Sequence, residues 1–274
     1  MFAFVSFEQK CENVPFLKRI FKRDENDFFL EDADFTYADI KYKKIIFPIY
    51  KNDADKHIKN RIICMKTYLS SARISDALFE KSERIGEPFL SQYFTKPSSE
   101  DFKNRLFLTA LQSLLIEKNT DPRSLTCAVY DEKIRSYTLF VFGILAKKSN
   151  TLIFVSKREA SKDAAGEIAD KTGTALILSD KTDILSICDL VVVLGAAEEI
   201  DDFRLRDNAT LVVKGEAADY LPEHLKKNAL SSFKINDDEM DGEIPQNIDK
   251  IEFLNMVYKS APDRDFIRSV KFDR

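Results

Sequence analysis

The chain has 274 residues, 44% hydrophobic and 32% charged, enough to bury one large core or two modest ones. Its formal net charge of −4 supplies no basic field for nucleic acid or an anionic membrane, and no apolar run approaches the roughly 20 residues of a membrane-spanning helix. Residues 1–7 are apolar but have no basic region before them and run straight into Glu8 and Lys10, unlike a signal peptide, so the cytoplasm is the expected location.

In chain order, residues 2–7 (FAFVSF) read as a first strand, rich in aromatic and β-branched side chains. Pro15 opens a short helix in which Phe16, Leu17, Ile20 and Phe21 share a face, and the acidic stretch that follows to Asp39 carries no assignable pattern. Residues 44–50 (KIIFPIY) read as a second strand, which lies at an edge or ends at Pro48 because that residue lacks a donor. Asp53 and Asp55 put negative charge at the start of a long helix whose stripe is Ile58, Ile62, Met65, Leu69, Ala72 and Phe79, with a stop at Gly86 and Pro88. After a loop at 95–99, Ser98 and Asp101 form a capping pair for a helix that buries Phe102, Leu106, Phe107, Ala110, Leu111, Leu114 and Leu115. Asp121-Pro122 marks a boundary, which divides the chain into an N-terminal α/β domain, 1–121, with two long helices, and a second domain, 122–274.

From residue 125 the pattern changes to short apolar runs at 125–130, 151–155, 175–178, 190–194, 209–213 and, more weakly, 230–235. The run LVVVL at 190–194 does not alternate, as suits a strand buried on both faces of a parallel sheet. Helical segments lie between the runs at about 134–148, 159–172, 181–187 and 217–228, and strand–helix–strand at this spacing implies right-handed crossovers. Ala160, Ala164, Ala165, Ile168 and Ala169 give the second of these a small-residue face, Gly173 caps it, and Asp180 caps the third. The first is apolar nearly all round, which calls for cover on two sides, by the sheet and by the N-terminal half or a second copy in a homodimer. The fold class that follows is α/β: a doubly wound, mainly parallel Rossmann-like sheet in the C-terminal half beside a smaller, helix-rich α/β N-terminal domain. Residues 248–258 read as a last helix (Ile251, Leu254, Met256, Val257), after a loop at 242–246 and before a charged, loosely ordered tail beyond Pro262.

The segment TLIFVSKREASKDAAGEIADKTGTALIL (151–178), followed by CDLVVVLG (188–195), resembles the NAD(P)-binding Rossmann domains of shikimate dehydrogenase and glutamyl-tRNA reductase. The resemblance covers residues 124–235 and implies a dinucleotide at the strand ends, with Lys157-Arg158 as the seat of an NADP 2′-phosphate and Gly195-Ala196-Ala197 as a small-residue turn. The chain departs from that pattern at the end of the first strand, where a glycine-rich turn would let backbone N–H groups approach a pyrophosphate. Here stands VYDEKIRS (129–136), and there is no glycine between Gly86 and Gly143. Asp131 and Glu132 would face two phosphates, so NADP is disfavoured, and Asp131 is expected to act as the N-cap of a helix starting at Ile134. Thr95-Lys96-Pro97 has a different order from the lysine motif of shikimate dehydrogenases, and Cys11 and Cys64 lack the surroundings of the reductase nucleophile, so no catalytic residue carries over.

The four cysteines, Cys11, Cys64, Cys127 and Cys188, show neither metal-ligand nor redox-pair spacing, and Cys127 and Cys188 read as buried free thiols. His57 and His224 sit in charged helical segments and read as exposed, so no metal site and no histidine-dependent triad is assembled. Three functions follow: a Rossmann-like protein without dehydrogenase activity, serving a structural, regulatory or protein-binding role; an NAD(P)-dependent oxidoreductase with an aberrant phosphate loop; or a protein that takes another small ligand in the strand-end crevice. The crevice candidates are Asp131, Ser156, Lys157, Arg158, Gly195, Ala196, Lys214 and Gly215. The partner is an unknown small molecule or protein.

Overall fold

A computed structural model describes residues 1–10, 29–50, 54–80, 85, 87–94, 98–118, 125–173, 175–196, 198–235, 244–245, 248–262 and 270–273. In chain order its elements are β1 (Phe2–Lys10), β2 (Phe29–Tyr37), β3 (Ile40–Tyr50), α1 (Asp55–Ser71), β4 (Ala77–Phe79), α2 (Glu87–Leu90), α3 (Glu100–Glu117), β5 (Thr126–Asp131), α4 (Ser136–Ala146), β6 (Thr151–Val155), α5 (Glu159–Thr172) and β7 (Leu176–Ser179). A 3₁₀ turn (Asp183–Ile187), β8 (Leu190–Gly195), β9 (Thr210–Val213), a second 3₁₀ turn (Gly215–Tyr220), α6 (Glu223–Lys226), β10 (Phe233–Ile235), α7 (Lys250–Ser260) and β11 (Val270–Phe272) complete it. The chain divides into two compact units, residues 1–102 with 239–268 and residues 103–238 with 269–274. That division falls inside α3 and assigns α7 to the first unit.

The first unit is a four-stranded sheet in the order β2-β3-β1-β4. Ile58, Ile62, Met65 and Leu69 of α1 are buried against Ala3, Val5, Ile45, Phe47 and Ile49 of the sheet, as their spacing predicts. The stripe ends sooner than expected: Arg73 at φ +55 leaves the helical region, and Phe79 lies in β4, parallel to β1. β3 is an interior strand, parallel to β1 and antiparallel to β2, so the edge assignment does not hold. The strand also runs past Pro48, which pairs in register with Glu8 of β1. The unassigned acidic stretch supplies β2, joined to β3 through Ala38 and Asp39, both at positive φ as a two-residue hairpin demands. The Phe253 ring of α7 packs edge-on against Phe2, Tyr37 and Tyr42, which is why the last helix belongs with this unit. The helix expected after Pro15, the stop at Gly86, the motif Thr95-Lys96-Pro97 and Asp121-Pro122 lie outside the described residues.

The second unit is a five-stranded parallel sheet in the order β7-β6-β5-β8-β9, a Rossmann-like arrangement. Its central strands alternate between two buried faces. Cys127, Val129, Leu152, Phe154, Val192 and Val212 meet Phe107 and Leu111 of α3 and Val141, Phe142 and Leu145 of α4. Ala128, Tyr130, Ile153, Val155, Val191 and Val193 meet Leu185, Ile200, Phe203, Leu221 and Leu225. Strands covered on both sides carry unbroken apolar runs because neither face can be polar. Edge strand β7 departs from this, with Ile177 and Leu178 exposed. The expected helices at 181–187 and 217–228 are 3₁₀ turns and one short helix, and the weak run at 230–235 forms a separate antiparallel pair, β10 with β11, at the end of the tail. Among the described residues no helix is long and apolar enough to cross a membrane.

Candidate functional site

The strand order reverses direction at β5, so the carboxyl ends of β5 and β8 form the switch point, the usual ligand position in such sheets. The register there shifts by one residue: Tyr130 pairs with Val193 but Asp131 with Gly195. This irregularity brings Gly195 under the Asp131 side chain, and a Cβ added to Gly195 would lie 3.0 Å from Asp131 Oδ1. The absence of a side chain on Gly195 is therefore used by a carboxylate of the same chain.

Asp131 is buried at the end of β5. Its Oδ1 accepts the Lys133 N–H at 3.1 Å, and its Oδ2 accepts the Thr138 hydroxyl at 2.6 Å. Thr138 Oγ1 in turn accepts the Arg135 N–H at 3.1 Å. The expected N-cap role is thereby corrected. The helix begins at Ser136 instead of Ile134, and Asp131 remains in the strand. Its carboxylate reaches the first turn only through the Thr138 hydroxyl. Burial pushes the Asp131 carboxyl above the usual carboxylate range, against the opposing pull of the Thr138 and Lys133 hydrogen bonds and the charges of Arg135 and Lys214.

Glu132 is also buried, and it is tied at every polar atom. Oε1 accepts the Tyr130 hydroxyl at 2.7 Å and the Lys157 N–H at 3.3 Å, and Oε2 accepts the Ser156 hydroxyl at 3.3 Å. Its N–H donates to the Gly195 carbonyl at 3.2 Å, and its carbonyl accepts the Ser161 hydroxyl at 3.0 Å. One residue thus joins the ends of β5 and β8, the β6–α5 turn and the first turn of α5. The Tyr130 hydroxyl is held well above its ordinary pKa, first by burial and then by its bond to Glu132.

The remaining sequence candidates divide around these two carboxylates. Ser156, fully buried, sits between Glu132 and the Arg158 N–H, which it accepts at 3.2 Å. Lys157 turns away: its ammonium pairs with Glu198 at 3.0 Å and Asp201 at 3.3 Å, which raises its pKa. Arg158 is exposed. Ala196 packs partly buried against the second core face. Lys214 places Nζ 4.1 Å from the centroid of the Tyr137 ring, and Gly215 follows it at φ +52. Asp131, Gly195 and Lys214 are brought to one place, Ser156 and the Lys157 backbone to the adjoining one, and the Lys157 and Arg158 side chains to neither.

Sequence reading left Glu132 off the candidate set and missed Tyr130, Tyr137, Thr138 and Ser161 altogether. The visible signal was Thr138 and Ser161, hydroxyl residues early in helices that each follow a strand end. The Tyr137 hydroxyl is buried and has no hydrogen-bond partner among the described residues. Cys127 and Cys188 are buried free thiols, each pushed up to about 12 by burial. His57 is exposed, and His224 is exposed with Asp202 at 3.3 Å. Among the described residues no group of three or more His, Cys, Asp or Glu side chains could hold a metal ion.

No family model matches the chain, and no curated protein matches it. Solved structures similar in fold include shikimate 5-dehydrogenase from Listeria monocytogenes in complex with shikimate and NAD, 9% identical, covering 84% of this chain and 85% of that chain with a TM-score of 0.32. L-tryptophan dehydrogenase from Nostoc punctiforme is 13% identical, covering 81% of this chain and 64% of that chain with a TM-score of 0.32. The catalytic subunit of M. jannaschii aspartate transcarbamoylase is 10% identical, covering 96% and 86% of the two chains with a TM-score of 0.37. At these values the likeness carries no argument about activity, and the fold assignment rests on strand order and register.

Proposed function

We propose that the second unit is a Rossmann-like scaffold whose dinucleotide seat is closed by its own carboxylates, and that it serves as a binding or regulatory module without dehydrogenase activity. The observation that carries this reading is Glu132, buried at the switch point with both carboxylate oxygens taken by Tyr130, Ser156 and Lys157. The residues present do not fit a pyrophosphate. A phosphate in that position would meet the Asp131 and Glu132 carboxylates, and like charges in a desolvated site cost several kcal/mol. The Lys157 ammonium, the natural partner of a 2′-phosphate, is already matched by Glu198 and Asp201.

Thermal-shift titration with NADH and NADPH tests the reading. A ligand at 100 times its dissociation constant stabilises a protein by about 2.7 kcal/mol, so a true dinucleotide site would move the midpoint by several degrees. No shift at millimolar cofactor is expected, and a saturable shift overturns the proposal. A second reading, a different small ligand near Lys214, is favoured by the Tyr137 hydroxyl, which is buried without a hydrogen-bond partner among the described residues. A nucleotide and metabolite panel tests it. A hit from that panel must weaken in Tyr137→Phe.

A further inference from the structure

We infer that the groove between α3 and α4 is a docking site for an acidic amphipathic helix of a partner protein. The groove holds about 430 Å³, and its surface is set by Leu115 and Ile116 on one side and Leu139, Phe140, Gly143 and Ile144 on the other. Phe140 and Leu139 of α4 are 63% and 41% exposed and Ile116 of α3 is 68% exposed, while Val141, Phe142 and Leu145 of α4 and Phe107 and Leu111 of α3 lie in the core with the sheet. An apolar strip of this kind on a solvent face marks an interaction surface. A Cβ added to Gly143 would find nothing within 4 Å, so the groove has an open floor where a third helix can approach closely. Apolar walls from two helices with a gap between them suit a helix that lays a stripe of i, i+3, i+4 and i+7 side chains into the groove.

Charge selects the occupant. Lys147 and Lys148 line one end of the groove, and Arg135 stands exposed at the other end of α4. From Lys133 to Lys148 the chain has no acidic residue but carries Lys133, Arg135, Lys147 and Lys148, in a protein whose net charge is −4. A second copy of the chain laid along α4 would set cation against cation. A flat anionic membrane would meet the Phe140 and Ile116 ridges and leave the Gly143 floor empty. A helix with glutamates flanking its apolar stripe satisfies both the shape and the charge.

The test uses the whole protein and two synthetic amphipathic helices of about 15 residues, identical in their leucine stripe and flanked by glutamates or by lysines. Fluorescence anisotropy is expected to give saturable binding of the acidic peptide, weakened by salt, and none of the basic one. Reversing the rim with Lys147→Glu and Lys148→Glu is expected to weaken the acidic peptide roughly tenfold or more and to admit the basic one. Gly143→Leu fills the floor and is expected to abolish binding while the thermal midpoint stays level or rises, since glycine is a poor helix residue. If that variant fails to fold, the charge reversal alone decides. The inference is overturned if both peptides bind alike, if neither binds, if sedimentation shows self-association through this face, or if the protein instead partitions onto phosphatidylserine vesicles. The groove is separate from the Asp131 crevice. A cofactor shift would leave this inference standing, and a failed peptide titration would leave the crevice reading standing.

Discussion

Replacing Glu132 by alanine removes an acceptor from three donors at once: the Tyr130 hydroxyl, the Ser156 hydroxyl and the Lys157 N–H. Tyr130 and Ser156 are fully buried, so no water replaces the lost partner without rearrangement. A stranded buried donor costs about 1–3 kcal/mol. Ser156 can turn its proton elsewhere, and deleting a desolvated carboxylate returns some free energy, so we set the net loss at about 3 kcal/mol. For a chain of this size that corresponds to roughly 6–12 °C in the thermal midpoint. Glu132→Gln separates the hydrogen-bonding role from mere volume. Its carbonyl keeps the Tyr130 and Lys157 bonds and its amide meets Ser156 Oγ, so it is expected to lose no more than about 1 kcal/mol. Urea unfolding followed by circular dichroism measures both. If alanine costs less than about 1 kcal/mol, or glutamine costs as much as alanine, Glu132 does not hold the strand ends together and the closed-seat reading loses its footing.

The raised carboxyl of Asp131 gives a pH signature. Its folded pKa lies above the unfolded value near 3.8, so its contribution to stability is complete below that pH and is lost as pH rises through the folded value. Wild type is therefore expected to gain on Asp131→Asn as pH falls from about 7 to 3, and a constant difference across urea midpoints in that range refutes the assignment. Gly195→Ala is expected to cost about 1–2 kcal/mol because the new Cβ sits 3.0 Å from Asp131 Oδ1. Asp131→Ala alone costs about 1–2 kcal/mol through the stranded Thr138 hydroxyl and Lys133 N–H. The double variant is expected to lose less than the sum by at least about 0.5 kcal/mol, and strict additivity would show that the two groups do not meet.

The parallel sheet was legible because β5, β6 and β8 are buried on both faces, which forces an unbroken apolar run that no other element requires. The half-buried β7 still reads as a strand, but its exposure is invisible because an edge position depends on what the other strands do. β2 was illegible for a local reason: its turn is Ala38-Asp39, not the glycine-bearing pair that signals a hairpin, and Glu31, Asp32 and Asp34 break its apolar pattern. β10 and β11 pair across a long sequence separation, and three-residue strands carry no usable periodicity. The site followed the same division. The missing glycines and the two acids were plain from the sequence. Tyr130, Lys133 and Thr138 are local donors to the acids, but Ser156, the Lys157 N–H and Ser161 come from the far side of a crossover, and only the folded register brings them within 3.3 Å of Glu132.

The strength of that network decides what the scaffold can bind. On the proposed reading a dinucleotide enters the switch point only after Glu132 leaves it, so the intrinsic affinity is lowered by the cost of the open state. At about 3 kcal/mol the penalty is two orders of magnitude, which carries a site of roughly 10 µM past millimolar before any repulsion from Asp131 is counted. The same opening would free the Tyr130 hydroxyl, whose pKa is held high while it donates to Glu132, and would leave two buried donors seeking acceptors. A phosphate could supply those acceptors, but only with Asp131 still beneath it, 3.0 Å from the position a Gly195 side chain would occupy. Removing Glu132 alone therefore should not create a cofactor site. On the proposed reading the two carboxylates close the seat independently, one by filling it and one by charging its floor.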